Sequence, residues 1–140
     1  MNTLISIITP CYNSEKYIQE TIDSVLNQTN PNWEWWIVDD CSKDNSVEII
    51  RSNSDPRIHL VTLEKNVGAA EARNIALRNA KGRFITFLDS DDVWLPHFLE
   101  TAQNYLIQNK EELVYGTYHR NDEQLHTLLE DLVAEDNIDY

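Results

Sequence analysis

The stretch Phe84-Ile85-Thr86-Phe87-Leu88-Asp89-Ser90-Asp91-Asp92 decides how this chain is read. Five apolar or β-favouring residues run straight into three carboxylates within four positions. The first half predicts a buried strand, rich in aromatic and branched side chains. The second half sets dense negative charge where that strand ends. Carboxylates this close repel one another and raise one another's pKa unless a cation neutralises them. Hard oxygen donors on a short loop suit Mg²⁺ or Mn²⁺, and an ion held there can hold a phosphate. Taken alone, the same residues also read as a solvated acidic turn capping the next helix. An EF-hand is excluded. Asp89, Asp91 and Glu100 occupy its positions 1, 3 and 12, but Val93 and Trp94 stand where an oxygen donor and a glycine are required.

The elements before this stretch set its context. Leu4 to Thr9 is a nearly continuous apolar run, which predicts a strand buried on both faces and stopped by Pro10. Asn13 or Ser14 is placed to cap a helix carrying Ile18, Ile22, Val25 and Leu26 at helical spacing. Trp33 to Val38 predicts a second strand ending in Asp39-Asp40, and Asp44 and Asn45 begin a helix with Val47 and Ile50 inside. Ile58 to Leu63 is a third strand. After Gly68, a helix presents Ala69, Ala72, Ala76 and Ala80 on one face and closes at Lys81-Gly82, a C-terminal glycine stop. Beyond the Phe84 strand, Pro96 opens a helix with Leu99, Ala102 and Leu106 inside, and Leu113 to Tyr118 predicts a fifth strand.

Strand and helix therefore alternate throughout, which implies a mainly parallel sheet with helices on both faces. Ligands bind such sheets beyond the C-terminal ends of the strands. Four polar clusters fall there: Thr9 to Asn13, Asp39-Asp40, Asn66 to Gly68, and Asp89 to Asp92. A single site explains all four together.

The 140 residues make one domain, 41% hydrophobic and 25% charged, large enough to bury a core without disulfides. A formal net charge of −13 excludes a nucleic-acid binder, because phosphate backbones demand a basic footprint. Cys11 and Cys41 show neither metal spacing nor a disulfide framework, consistent with reduced thiols in a cytoplasmic protein, with peripheral attachment to a membrane compatible. The run Leu4 to Ile8 is broken by Pro10, lacks a basic n-region and is too short to be expected as a signal peptide, and no stretch approaches the length of a transmembrane helix. No G-x-G-x-x-G or Walker loop occurs. Phosphate binding then runs from carboxylate to metal to diphosphate. Asp39-Asp40 are acceptors suited to a nucleobase N–H. Arg73, one turn into the helix after Gly68, is placed to reach a phosphate or to pair with an aspartate of the site.

Ile7-Ile8-Thr9-Pro10-Cys11-Tyr12-Asn13, Ile22-Asp23-Ser24-Val25-Leu26-Asn27-Gln28-Thr29, Ile37-Val38-Asp39-Asp40-Cys41-Ser42, Gly68-Ala69-Ala70-Glu71-Ala72-Arg73-Asn74 and Phe87-Leu88-Asp89-Ser90-Asp91-Asp92 stand in this order. Together they resemble the family 2 glycosyltransferases from residue 4 to about residue 118. The resemblance implies a GT-A (Rossmann-like) fold, a mainly parallel α/β sheet with helices on both faces. It also implies inverting transfer of a sugar from a nucleotide diphosphate donor, often UDP-linked, assisted by Mg²⁺ or Mn²⁺. Carried over by position, Thr9, Pro10, Tyr12 and Asn13 wall the nucleotide pocket, and Asp40 faces the base with Asp39 beside it. Arg73 lies near the base or diphosphate. Asp89 approaches the ribose with Ser90, Asp91 is the chief metal ligand, and Asp92 supports it.

The resemblance implies residues 1–120 as a nucleotide-sugar-binding domain, truncated after the donor half, and residues 121–140 as an acidic tail. That tail is expected to be helical in part, with Leu125, Leu128, Leu129, Leu132 and Val133 on one face. Similar enzymes continue for roughly another hundred residues, which supply the acceptor site and the catalytic base. Glu130, Asp131, Glu135 and Asp136 are the weak candidates for that base here. The acceptor, a saccharide or lipid-linked saccharide, is not specified. The alternative is a non-catalytic module that binds nucleotide and metal, or forms a homodimer through surface left bare. A sugar nucleotidyltransferase needs a glycine-rich loop with Arg after the first strand, which Thr9-Pro10-Cys11-Tyr12 does not supply.

Overall fold

The structure, a computed structural model, describes residues 3–110, 113–114, 120–121 and 127–128. The chain divides into two compact units, Met1–Gln103 and Asn104–Tyr140. In the first, strands β1 (Ile5–Cys11), β2 (Trp33–Asp39), β3 (Ile58–Thr62) and β4 (Phe84–Phe87) alternate with helices α1 (Ile18–Leu26), α2 (Ser46–Arg51) and α3 (Ala69–Asn79), and α4 (Phe98–Asn109) follows. All strand pairs are parallel, in the order β3-β2-β1-β4. The chain moves from β1 outward through β2 to β3 and then returns to the far side of β1. That reversal opens a crevice at the C-terminal ends of β1 and β4.

The unbroken apolar runs of β1 and β2 arise because both faces of the sheet are covered. Ile5, Ile7, Trp35 and Ile37 join Ile18, Ile22, Val25, Ile50 and Leu99 in one core, under α1, α2 and α4. Ile8 and Val38 form a smaller core with Ala72 and Ala76 of α3 on the other face. Small residues at that spacing let α3 lie close to β1 and β2. The alanine stripe is shorter than expected, since Ala69 is exposed and Ala80 only half-buried.

Three local expectations change. Gly82 does not stop α3, whose last residue is followed by Ala80 in an extended conformation. A Cβ on Gly82 would lie 2.5 Å from the Ser6 amide nitrogen and 2.9 Å from the Leu4 carbonyl oxygen. The glycine is there because β1 passes against it. Strand β4 is not buried on both faces. Its partner among the described residues is β1, and Ile85 and Phe87 are 41% and 54% exposed, because α3 packs over β1 and β2. Asn13 and Ser14 do not cap α1 with their side chains. The Ser14 carbonyl receives the Ile18 N–H, and both side chains bond to other loops.

In the second unit, β5 (Arg120–Asn121) and β6 (Thr127–Leu128) form a two-residue antiparallel pair. Leu128, expected on a tail helix, is therefore in a strand; Leu125, Leu129, Leu132 and Val133 lie outside the described residues. Leu113 and Val114 are not in a strand, and the rest of the expected fifth strand lies outside the described residues.

Candidate functional site

Beyond the C-terminal ends of β1, β2 and β4 lies a cavity of about 590 Å³. The end of β1 contributes Pro10 and Cys11 and the loop after it Tyr12, Asn13 and Ser14, with Tyr17 at the foot of α1. The end of β2 contributes Asp40, the start of α3 contributes Asn66, Gly68, Ala69 and Arg73, and the acidic turn contributes Asp89, Ser90 and Asp91. All four polar clusters of the sequence meet here. The volume is that of an ordinary small-molecule site.

Each loop is held by bonds that the local sequence does not announce. Both oxygens of the buried Asp40 carboxylate accept backbone N–H groups, Val67 at 2.6 Å and Gly68 at 2.8 Å. Gly68 takes φ +90°, which favours glycine, and this bend sets the first turn of α3 at the cavity wall. Asp39 is turned inward onto its own loop, accepting the Ser42 N–H at 3.0 Å and the Ser42 hydroxyl at 2.5 Å. Asn13, at φ 50°, accepts the Lys43 N–H through Oδ1 and donates its own N–H to the Ser42 hydroxyl. The loops after β1 and β2 are thus latched together.

Thr9, expected in the pocket wall, does not line the cavity. It is fully buried, donating its hydroxyl to the Leu88 carbonyl at 2.6 Å and accepting the Trp35 indole N–H at 2.8 Å. Its position in β1 points it into the core, where it ties β2 to the end of β4. Asp39 and Asp92 also stay outside the lining. Ser14 and Tyr17 line it without having been singled out. The available signal was Tyr17, an aromatic at the foot of an amphipathic helix.

The acidic turn is anchored through its serine and its backbone. The Ser90 hydroxyl lies 2.6 Å from that of Ser14, and Asp92 donates its N–H to the Asp89 carbonyl. Asp89 accepts from the Arg73 guanidinium at 2.8 Å, in a pair that is half-exposed. Burial, with the Asp91 and Asp89 charges beside it, pushes the Asp92 carboxyl up. Burial is the larger cause, and the neighbouring charges add to it. Among the described residues no three His, Cys, Asp or Glu side chains are gathered to hold a metal by themselves. One or two hard carboxylates, completed by water and ligand phosphates, are the usual Mg²⁺ donor set, and Asp91 with its neighbours fits it. Cys11 is no nucleophile here, since burial pushes its thiol up to about 11. The weak base candidates Glu130, Asp131, Glu135 and Asp136 lie outside the described residues.

A parallel sheet of this order, with its cavity at the strand ends and an acidic turn after the fourth strand, is a Rossmann-like α/β fold. The sequence profile of the family described as Glycosyl transferase family 2 matches residues 6–132. The chain belongs to glycosyltransferase family 2. It is 49% identical over 115 residues to WfgD of Escherichia coli, a UDP-Glc:alpha-D-GlcNAc-diphosphoundecaprenol beta-1,3-glucosyltransferase, covering 82% of this chain and 46% of the relative. Among solved structures it superposes on S. aureus TarS in complex with UDP-GlcNAc, with a TM-score of 0.73 and 36% identity, covering 76% of this chain and 32% of that one. The mannosyltransferase PcManGT from Pyrobaculum calidifontis, in complex with GDP-Man and Mn²⁺, gives a TM-score of 0.68 at 30% identity, covering 73% of this chain and 32% of that one. The chain thus spans less than half the length of these relatives.

Proposed function

We propose that this chain carries the donor site of an inverting glycosyltransferase, which binds a UDP-sugar with Mg²⁺ or Mn²⁺ and passes the sugar to an acceptor hydroxyl. The observation that carries the reading is the convergence of Tyr12, Asp40, Arg73, Asp89 and Asp91 on one cavity at the strand ends. Tyr12, 49% exposed, offers its ring to the base. The Asp40 carboxylate has lone pairs beyond the two that take Val67 and Gly68, and these accept a base N–H. Asp89 and Ser90 lie toward the ribose, and Arg73, held at the cavity by Asp89, faces the diphosphate. Asp91 is the chief metal ligand, with Asp89 and Asp92 supporting it. An ion held by these carboxylates would neutralise charge that develops on the leaving diphosphate. Attack by the acceptor hydroxyl from the opposite face requires a carboxylate base. That base and the acceptor site belong to a part of the fold beyond the donor half. A lipid-linked saccharide is the acceptor class suggested by the name of WfgD, and it favours peripheral association with a membrane. No helix among the described residues is long and apolar enough to cross one.

Calorimetric titration of UDP tests the reading, in Mn²⁺ and then in EDTA, beside Asp91→Ala. Metal-dependent binding that the variant loses is the expected result. A folded chain that binds no nucleoside diphosphate under any condition would leave the non-catalytic reading, an interaction or homodimerisation module, in its place.

A further inference from the structure

The segment from Leu88 to Leu99 carries the acidic turn, yet only its first residue is held by the sheet, through the bond from its N–H to the Ile8 carbonyl. Besides the Ser14–Ser90 hydroxyl pair and the Arg73–Asp89 pair at the cavity, its anchors come from α1 and the residues just after it. Near the start of the turn, the Thr21 hydroxyl donates to the Ser90 carbonyl at 3.1 Å, a shorter contact than its 3.4 Å approach to Tyr17 within the helix. Beyond the turn, the Gln28 carboxamide donates to the Leu95 carbonyl at 2.8 Å and to the Ser24 carbonyl at 3.1 Å. Its oxygen accepts the Leu99 N–H at 3.0 Å, one of the first-turn donors of α4 that has no partner within the helix. Thr29 adds a backbone bond from its N–H to Pro96. Thr21 is fully buried and Gln28 is 8% exposed. Thr21 is a polar group on the side of α1 that carries Ile18, Ile22 and Val25 into the core, and Gln28 lies two residues past the end of the helix. Burying them is favourable only because each meets its partner.

We infer that Thr21 and Gln28 are positioning residues: α1 and the residues just past its end splint the acidic turn at both ends, fixing the backbone from Ser90 to Leu95 so that Asp89 and Asp91 are presented to the cavity. The inference rests on the donor-site reading for its consequence in binding, but the splint itself is a property of the ligand-free chain.

The test uses Thr21→Val, Gln28→Met and, as a control, Asn30→Ala. Asn30 is an equally buried amide two residues along, bonded to Gln103 at 2.8 Å and not to the turn. Amide hydrogen exchange without ligand should rise about tenfold over residues 89–95 in the first two variants and not in the third, with β1 and β2 unchanged. Titration of UDP with Mn²⁺ should show binding weakened by about tenfold in the same two variants, as for other residues that orient a metal ligand from behind. Thr21→Ser, which keeps the hydroxyl, should restore both. If Gln28→Met does not fold, Gln28→Glu keeps an acceptor for Leu99 and removes the donors to Leu95 and Ser24, so the same comparison holds. Unchanged exchange over residues 89–95 in folded Thr21→Val and Gln28→Met, or an equal rise in Asn30→Ala, overturns the inference. If the wild type binds no UDP, the donor-site reading fails, and the exchange arm alone still decides the splint.

Discussion

Replacing Thr9 by Val distinguishes a core role from a pocket role. The two side chains have nearly the same shape, so packing changes little. What is lost is the hydroxyl that donates to Leu88 at 2.6 Å and accepts from Trp35 at 2.8 Å, in a side chain with no exposure. The substitution strands an indole N–H and a carbonyl oxygen away from water. At about 1–3 kcal/mol for each orphaned buried group, offset by the gain of a methyl, the expected loss is about 2–4 kcal/mol. For a folding unit of this size that lowers Tm by roughly 10–25 °C. Urea titration followed by circular dichroism measures it, as a lower midpoint at unchanged slope. Thr9→Ser is the informative partner. It leaves a methyl-sized void, costing about 1 kcal/mol, but keeps both hydrogen bonds. Hydrophobic reasoning alone ranks Val above Ser at a fully buried position, whereas the observed bonds rank Ser above Val. A Val variant within 1 kcal/mol of wild type, or more stable than Ser, would refute the assignment of Thr9 to the core network.

Further outcomes follow from other contacts. Arg73→Ala should weaken UDP binding by about tenfold or more, as loss of a charged contact does. It should change stability by less than about 0.5 kcal/mol, because its pair with Asp89 is half-exposed. Calorimetry and urea titration separate the two. Gly82→Ala should cost about 3 kcal/mol or prevent folding, since the added carbon collides with backbone rather than with a side chain that can move; a thermal melt within a few degrees of wild type would contradict this. Glu34 gives a pH dependence. Burial pushes its carboxyl up, but hydrogen bonds from the Ser6 hydroxyl at 2.6 Å and the Lys81 N–H at 2.7 Å outweigh that and hold it below the ordinary value of 4.5. The stability it contributes is therefore complete above 4.5 and lost as pH falls through the lower folded value. Glu34→Gln should be less stable at neutral pH and should flatten the acid limb of the urea midpoint, read from pH 7 down to about 3.

The sequence revealed most where physical cause is local. The continuous apolar runs at Ile5 and Trp33 follow from burial on both faces, and Ala72 and Ala76 from the approach of α3, so a parallel sheet covered on both faces was within reach. The meeting of four strand-end clusters followed from topology alone. What the sequence hid depends on partners far along the chain. Gly82 looks like a helix stop but answers to Ser6, 76 positions away in sequence. Thr9 looks like a pocket residue but bonds across three strands. Asn13 and Ser14 look like helix caps, yet their side chains are claimed by Lys43 and Ser90. Strand β4 reads as internal because Ile85 and Phe87 are apolar, and nothing in that segment states that α3 stops over β1 and β2. A short polar side chain has several partners of similar energy, and only the assembled fold selects one.

The charge of the cavity supplies an argument for a cation that is independent of family. Its lining holds the carboxylates of Asp40, Asp89 and Asp91 against the single guanidinium of Arg73. That guanidinium is already spent in part on Asp89. The chain as a whole carries −13, so the background field also repels an anion. A nucleoside diphosphate entering such a site meets net repulsion from every direction except Arg73. The Val67 and Gly68 N–H groups already serve Asp40 and are not available to the diphosphate. A uridine moiety alone faces no such penalty, and the Tyr12 ring and the Asp40 lone pairs suit it. The two ends of the cavity therefore make opposite demands. Its aromatic and amide-rich end can accept a neutral base unaided, whereas its acidic end can accept phosphate only together with added positive charge. On the proposed reading, a divalent ion held at the turn would satisfy both its crowded carboxylates and the incoming phosphates, so that metal and donor would bind together in a single step of charge neutralisation.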